Sequence, residues 1–552
     1  MRLSTLTLIL LPGLALGQTL QPMAIPPLLD ADTFHLTVAA HTHQFYPGKN
    51  TPTFGVNGPY LGPTLLMHKG DTARIVVENQ LDEETTMHWH GMHVPGVMDG
   101  GPHSIIEPGD SWLAEYEVKN PAGTYWYHPH PHMMTARQAN LGISGFIIVK
   151  DDDEAQLELP RSYGEDDFPV VLQDKKWIAN GEMALYPLGD SMLVNGTPNA
   201  MLEVPAQVVR LRVLNGAVAR IFNLGFSDNR NFTMIASDAG LLPAPVSINR
   251  LMFSNGERAE ILLDLAGLEG DTLTLMSYGN ELTDPMPGSG NLILESSLLN
   301  GVAFPMLRLV VGPPTIDPVT TIPQTLVTNT PPDESSATRT RIKTLTGTGM
   351  VAMGQFRING LLYDMDVVND TILLGSTEVW HFVNNTNLAH PMHLHGVSFY
   401  VLERDGQAPP AWEQGPKDVV LVDQGEDVKL IATFTEPAGA DFPFMYHCHN
   451  LMHEDHMMML QFSVVDPHTG VNVPQDRVAS LYPSPTTGKV HFRADHAVDR
   501  VVVRDAMGRV LLDRRVMPAL EGAIDLDAMA AGILLVELHG REGRSLARVV
   551  KE

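Results

Sequence analysis

The sequence predicts an all-β protein built as a series of β-sandwich domains, and three observations carry that expectation. Apolar residues recur with period two at Trp112, Ala114, Tyr116 and Val118, at Val209, Leu211 and Val213, at Ala259, Ile261 and Leu263, and at Val428, Leu430, Ala432 and Phe434. Such alternation marks half-buried strands. The strands lie between turn-rich segments that carry many of the 47 Gly and 41 Pro residues. Long heptad or amphipathic helical patterns are scarce, which favours packed sheets over helix bundles.

At 552 residues the chain exceeds one hydrophobic core and should divide into three or four domains. An internal repeat locates two of them when residues 70–150 are laid over residues 375–465. Asn79 matches Asn384, and Met87-His88-Trp89-His90-Gly91 falls on Met392-His393-Leu394-His395-Gly396. Pro121-Ala122-Gly123 matches Pro437-Ala438-Gly439, and Tyr127-His128-Pro129-His130 matches Tyr446-His447-Cys448-His449. The expected domains are therefore residues 30–155 and 340–466, flanking a third sandwich at 160–312 that lacks His-x-His pairs and reads as a spacer. A Pro, Thr and Ser-rich stretch, TIDPVTTIPQTLVTNTPPDESSATRT, links the spacer to the next domain. After Pro467 the histidine pattern stops, and residues 475–552 read as a small C-terminal β-sandwich.

A formal charge of −28 repels phosphate backbones and anionic lipid, which excludes nucleic acid as a partner. Residues 1–17 read as a secretory signal: Arg2, an apolar run from Leu6 to Leu16, then Ala15-Leu16-Gly17 before Gln18. No other stretch approaches the roughly 20 apolar residues of a membrane helix, so no membrane span is expected. The product is expected to be an exported monomer.

The only cysteine, Cys448, cannot form an intrachain disulfide, and an exported protein with a lone thiol needs something to protect it. A metal would. Alternate residues on a strand face the same way, so each of the pairs His88/His90, His128/His130, His393/His395 and His447/His449 can present two imidazoles in one direction. One pair alone is weak evidence, but four at matched places in two repeats are hard to explain as polar strand faces. Eight imidazoles exceed what one tetrahedral zinc can use, and imidazole clusters with softer ligands nearby suit copper. A cluster drawing four histidines from each repeat must sit between the repeats, which couples metal binding to domain docking.

The second repeat carries a further set, His390, Cys448, His453 and Met458, which is the His₂Cys-plus-axial-Met constellation of an electron-transfer copper. The first repeat holds Thr85 and Pro129 at the places of His390 and Cys448. Strand alternation sends Cys448 to the face opposite His447 and His449, so neighbouring residues would join two metal sites. A copper-storage protein has no use for that connection.

The segments MHWHGMHVPGVMDGGP, YWYHPHPH, HPMHLHG and HCHNLMHEDHMMM resemble the four copper motifs of the multicopper oxidases, the last being similar to those of bilirubin oxidases and bacterial spore-coat laccases. The resemblance spans residues 30 to 465 in the right order. It implies three cupredoxin-like Greek-key domains and four copper ions. His390, Cys448, His453 and Met458 would hold a mononuclear blue copper. His88 and His395 would hold the lone copper of a trinuclear cluster, and His90, His128, His130, His393, His447 and His449 the coupled pair. The resemblance also points to Asp99, in MDGG, and Glu454 as proton relays, set against the plainer role of anchoring a loop or orienting a ligand. His93, His103, His132 and His456 are off the ligand spacing. Met445, Met452, Met457 and Met459 are expected to pack around the blue copper.

The implied reaction couples one-electron oxidation of a small reducing substrate (a phenol, an aromatic amine, bilirubin or cuprous ion) to reduction of dioxygen to water, with electrons entering near His453 or His390. Only Met350 and Met353 precede HPMHLHG where cuprous oxidases carry a long Met-rich insertion, so a laccase-like activity is favoured over a cuprous or bilirubin oxidase. The tail, from Tyr482-Pro483-Ser484-Pro485 through VVVRDAMGRVLL to MAAGILLVEL, resembles the sorting domain of type IX secretion substrates, which implies an outer-membrane or extracellular destination after removal of the tail, a permanent small β-sandwich used for adhesion being the alternative; export as a whole leaves the periplasm, the outer-membrane surface and the exterior open. Two readings compete with an oxidase: a periplasmic copper-binding protein, and a copper-free relative that keeps the fold for protein interactions.

Overall fold

The computed structural model describes residues 19–291, 296–466, 479–505, 509–540 and 543–552. The proposed signal at 1–17 lies outside the described residues. The chain divides into two units, Met1–Val464 and Val465–Glu552.

The first unit stacks sheets in pairs. In its amino-terminal part a four-stranded sheet runs in the order Lys49–Val56, Phe34–Tyr46, Thr72–Asn79, Ser111–Glu117. A five-stranded sheet runs in the order Leu28–Asp30, Thr64–His68, Gly145–Lys150, Gly123–His128, His88–His90. Between them lies a core of alternating residues that includes Leu36, Val38, Ile75, Val77, Trp89, Ala114, Tyr116 and Val118. The carboxy-terminal part repeats the plan. One of its five-stranded sheets centres on Thr377–Asn384, and the other runs Asp370–Leu373, Met459–Val465, Phe444–Cys448, His390–Leu394, Val419–Val422. Trp380, Met392, Leu430, Phe434, Phe462 and Cys448 share its core.

A six-stranded and an eight-stranded sheet form the middle sandwich around Val209, Leu211, Val213, Ala259, Ile261 and Leu263. The Pro-rich linker packs on that core through Val319, Ile322, Leu326 and Val327.

The repeat read from sequence holds down to strand register. His88 pairs across the sheet with His128, and His393, its equivalent, pairs with His447, the equivalent of His128. Asn79 and Asn384 play one role twice. Each is fully buried and donates through Nδ2 to nearby carbonyls, Glu83 and Ile106 in one case, Leu388, Val422 and Asp423 in the other. Each therefore staples the loop that leads into its histidine strand.

The small sandwich expected for the tail takes the form of one five-stranded sheet, Ala479–Tyr482, Lys489–Asp505, Gly532–Gly540 and Gly543–Lys551 in that order, with Val510–Asp525 paired to Lys489–Asp505. It curls until Thr486 bridges Lys551, enclosing Val490, Phe492, Val503, Val536 and Leu538.

Candidate metal centre

Strand pairing brings the eight paired histidines together between the first and last sandwiches, and all are essentially inaccessible to solvent. Their contacts obey a pseudo-twofold exchange of the repeats. His88 stacks on His395 with ring centroids 3.8 Å apart, and the equivalent couple, His393 and His90, stacks at 3.7 Å. His130 lies 4.9 Å from His447, and its image, His449 beside His128, lies at 5.3 Å. His93 and Ser398 occupy matching positions and hydrogen-bond to each other, Nε2 to Oγ, at 2.7 Å.

All but His449 are held from behind. Nδ1 of His88 is 2.9 Å from the Asp99 carbonyl, and Nδ1 of His395 is 2.7 Å from Asp99 Oδ2. Nδ1 of His128 reaches the Pro129 carbonyl at 2.9 Å, and Nδ1 of His393 the Asp418 carbonyl at 2.7 Å. His90 is turned the other way, with Nε2 3.1 Å from Asp418 Oδ1. Glu454 stands behind two more, Oε1 3.3 Å from His130 Nδ1 and Oε2 3.3 Å from His447 Nδ1. A second nitrogen of a ring so held is left as a lone pair facing inward.

The inward nitrogens lack ordinary partners. Nε2 of His88, Nε2 of His393 and both ring nitrogens of His449 are buried without a hydrogen bond. Elsewhere nitrogen faces nitrogen: His90 Nδ1 to His128 Nε2 at 3.3 Å, and His447 Nε2 to both His130 Nε2 and His395 Nε2 at 3.2 Å. Three groups of three histidines, His88/His393/His395, His88/His90/His128 and His130/His395/His447, each bring ligand atoms within 4.8 Å of one another. Burial, followed by repulsion from neighbouring imidazoles, drives His90, His130, His393 and His395 well below the ordinary histidine pKa. Buried orphan nitrogens are costly unless something binds them, and neutral imidazoles converging on a point are a donor set for metal ions.

The second constellation assembles as well. Cys448 Sγ lies 3.4 Å from His390 Nδ1 and 3.7 Å from His453 Nδ1, with all three residues buried. His390 Nε2 is tied to Thr386 Oγ1 at 2.8 Å and His453 Nε2 to the Met350 carbonyl at 3.3 Å, so both Nδ1 atoms are turned toward sulfur. Met458 is fully buried in the same core, its carbonyl 3.1 Å from the Cys448 amide nitrogen. Burial pushes the Cys448 thiol above its ordinary pKa, so without a cation beside it the sulfur keeps its proton.

Three sequence readings need correction. Met445 and Met459 pack as expected, but with Tyr363, Met365 and Met457 on the His447 side of the strand Phe444–Cys448, away from the sulfur. Residues 445 and 447 share a strand face that 448 does not, which is why. Met452 packs against Ala136, Val218 and Leu451. His390 and His453, near which electrons are expected to enter, are both buried: each ring packs on Phe356, with centroids 4.7 and 4.5 Å away, and His453 is also covered by the turn around Met350, which Asn387 clamps through Gly349 and which leaves Met353 exposed. The middle sandwich is more than a spacer. Its Arg258 contacts Asp418, and its Gly256 lies so close to His449 that a Cβ there would sit 3.1 Å from the ring. Sequence reasoning misses Asp418 and Arg258; the available signal is a charged residue set at or just before an apolar run, in KDVVLV and ERAEILL.

Known proteins are similar to this chain in sequence and fold. Residues 37–154 and 330–468 match family models described as Multicopper oxidase, and residues 480–552 match one described as Secretion system C-terminal sorting domain. The chain is 34% identical over 440 residues to a protein of Xenorhabdus nematophila named Cell division protein FtsP, covering 77% of this chain and 88% of that one. It is 34% identical over 435 residues to Multicopper oxidase mco of Staphylococcus haemolyticus, covering 77% and 86%. Among solved structures, a bacterial laccase-like multi-copper oxidase from the lignin-degrading bacterium Ochrobactrum sp. superposes with a TM-score of 0.72 at 36% identity, covering 80% of this chain and all of that one.

Proposed function

The chain belongs to the multicopper oxidase family, and from that premise we propose that it is an exported, laccase-like oxidase that takes electrons singly from a small reducing substrate and passes them to dioxygen, giving water. His390, Cys448, His453 and Met458 would hold one copper and His88, His90, His128, His130, His393, His395, His447 and His449 the others, and copper bound there would supply the one-electron chemistry and the reduction of dioxygen. The chain's own contribution is to hold these donors neutral, dry and oriented. The observation that carries the reading is Cys448. Its sulfur faces His390 and His453 while the residues on either side of it, His447 and His449, stand among the cluster imidazoles. Electrons thus have a route a few bonds long through one stretch of backbone.

Proton supply falls to the two carboxyls. Glu454, raised well above the ordinary carboxyl pKa by burial and then by Asp455, stands behind His130 and His447. Asp99 holds His395 through one oxygen, while Oδ1, 3.5 Å from His88 Nδ1, makes no hydrogen bond and is the atom we assign to the relay.

A phenolic substrate is supported by the Ochrobactrum relative, whose oxidase activity is described toward lignin model compounds and lignosulfonate. Cuprous ion is the second reading, favoured by Met350 and Met353 on the turn that covers His453, since thioethers suit cuprous ion. The sorting domain supports export. Against the copper-free alternative stands the complete donor set in this chain. The test is reconstitution with copper, a count of bound ions, a visible spectrum, and oxygen uptake with a phenol beside cuprous ion. Four ions, a thiolate-to-copper absorption and oxygen consumption are expected. A colourless protein with an alkylatable Cys448 would sink the proposal.

A further inference from the structure

Asp418 mirrors Asp99. Asp99 grips the stacked couple His88 and His395, through its carbonyl and one carboxylate oxygen. Asp418 grips the other couple, His90 and His393, through Oδ1 and its carbonyl. The difference lies in what stands behind each. Asp418 is wholly buried and receives Arg258 as a bidentate partner, Nη1 to Oδ1 at 2.7 Å and Nη2 to Oδ2 at 2.5 Å.

Arg258 comes from the middle sandwich, and every one of its five side-chain protons is used. Besides Asp418 it donates to the carbonyls of Thr124 (3.1 Å), Gly256 (2.9 Å) and Asp238 (2.6 Å). Thr124 belongs to the first sandwich, Gly256 and Asp238 to the middle one, and Asp418 to the last, so one planar guanidinium ties all three. The space is filled to contact. Gly91, at φ +84°, leaves room that a Cβ would take 2.3 Å from Asp418 Oδ2 and 2.8 Å from Arg258 Nη2. Lys417, next in chain, bonds Asp238 at 2.8 Å and Glu257 at 2.9 Å, which fastens the same seam a second time.

We infer that Arg258 and Asp418 form a positioning pair for the histidine cluster: Arg258 locks the Asp418 carboxylate in place, and Asp418 fixes which nitrogen of each imidazole faces the metal. With Nε2 of His90 donating to the carboxylate, His90 presents Nδ1. With Nδ1 of His393 donating to the Asp418 carbonyl, His393 presents Nε2. The middle sandwich therefore belongs to the metal centre although it supplies no ligand. Asp99, with no cation against it among the described residues, keeps an unbonded oxygen; Asp418 has none to spare.

The inference rests on the proposed copper chemistry, so its test separates the two. Full-length protein with Asp418→Asn, with Arg258→Lys, and with the double change Arg258→Gln and Asp418→Asn is loaded with copper and dialysed. Copper per chain, the thiolate-to-copper absorption and the melting temperature of the copper-free form are then measured. The double variant leaves no charge unpaired, so its copper-free form should melt near wild type. Expected in all three is a 10–100-fold weaker hold on the cluster copper (about the loss typical when the group behind a metal-binding imidazole is removed), with the Cys448 absorption retained. Arg258→Lys, which keeps the charge, should be the mildest. Wild-type copper content and affinity in the double variant would overturn the inference, as would equal loss from both sites in step with a lowered melting temperature. A wild-type protein that binds no copper would instead overturn the proposed function on which it rests.

Discussion

The first and last sandwiches are one design carried out twice, and the instructive difference is the place where only one of them has a second site. In the last sandwich His390 and His453 face the sulfur of Cys448. In the first, Thr85 stands at the His390 position and its hydroxyl donates to Gln138 Oε1 at 2.7 Å. Gln138, on the helix Thr135–Leu141, returns its amide to the Glu84 carbonyl at 2.8 Å and to Glu83 at 3.0 Å. The soft donor set has been replaced by a closed set of hydrogen bonds. In the proposed reading four histidines per repeat suffice for a shared cluster, but the electron entry is built once, and only the repeat that has it needs Cys448.

The largest effect should come from erasing that asymmetry. Cys448→Ser is expected to abolish the visible absorption and reduce oxygen uptake to background, because serine cannot bind the mononuclear copper as a thiolate does. Residual turnover with the same phenol would mean that electrons reach the cluster without passing through the last repeat.

Next is Asp99, the carboxylate of the first repeat that holds His395. Asp99→Asn keeps a side chain able to hold His395 but removes the proton acceptor, so oxygen reduction should slow by about 100-fold or more, the range of general acid–base contributions, with the visible absorption unchanged. Single-turnover reoxidation of the reduced enzyme reads this directly, and a wild-type rate would leave Asp99 a purely orienting group.

The same comparison explains which features were legible in the sequence. Period-two alternation exposes the strands, and matched His-x-His pairs in two repeats expose the cluster imidazoles, because strand parity is a local rule. The tail is recognisable from its alternation too, although not its closure into one curled sheet. Asp418, Arg258 and the cover over His453 are hidden for a physical reason. A buried ion pair between residues 160 positions apart has no spacing signature, and a turn that folds over an imidazole edge does so through a backbone carbonyl. Nearness in sequence to Cys448 suggests that the methionines of HEDHMMM surround the sulfur, but parity outweighs nearness and turns Met459 to the other face.

A smaller effect concerns the seam where the repeats meet each other on their pseudo-axis. His93 is pushed down to about 4 by burial and then by Lys119, while its unfolded value is near 6.5. A folded value below the unfolded one means that the unfolded chain takes up the proton first. The neutral ring's contribution is therefore full above pH 6.5 and is lost as pH falls toward 4, at about 1.4 kcal/mol per pH unit for one proton. In copper-free protein His93→Gln, which can still reach Ser398, should flatten the acid limb of stability by that one-proton slope. Parallel wild-type and variant curves would show that His93 protonates equally in both states.

The smallest change probes the plug itself. Thr85→Val should leave copper content, absorption and turnover as they are, since the first repeat has no second site to lose. It strands the Gln138 oxygen in the core, and an unmet buried acceptor costs about 1–3 kcal/mol. Denaturant unfolding of the copper-loaded protein measures that cost. A variant that also lost cluster copper would show that the plug does for the first repeat's histidine strand what Thr386, bonded to His390, does for the last, and the two halves would then be more alike than their ligands suggest.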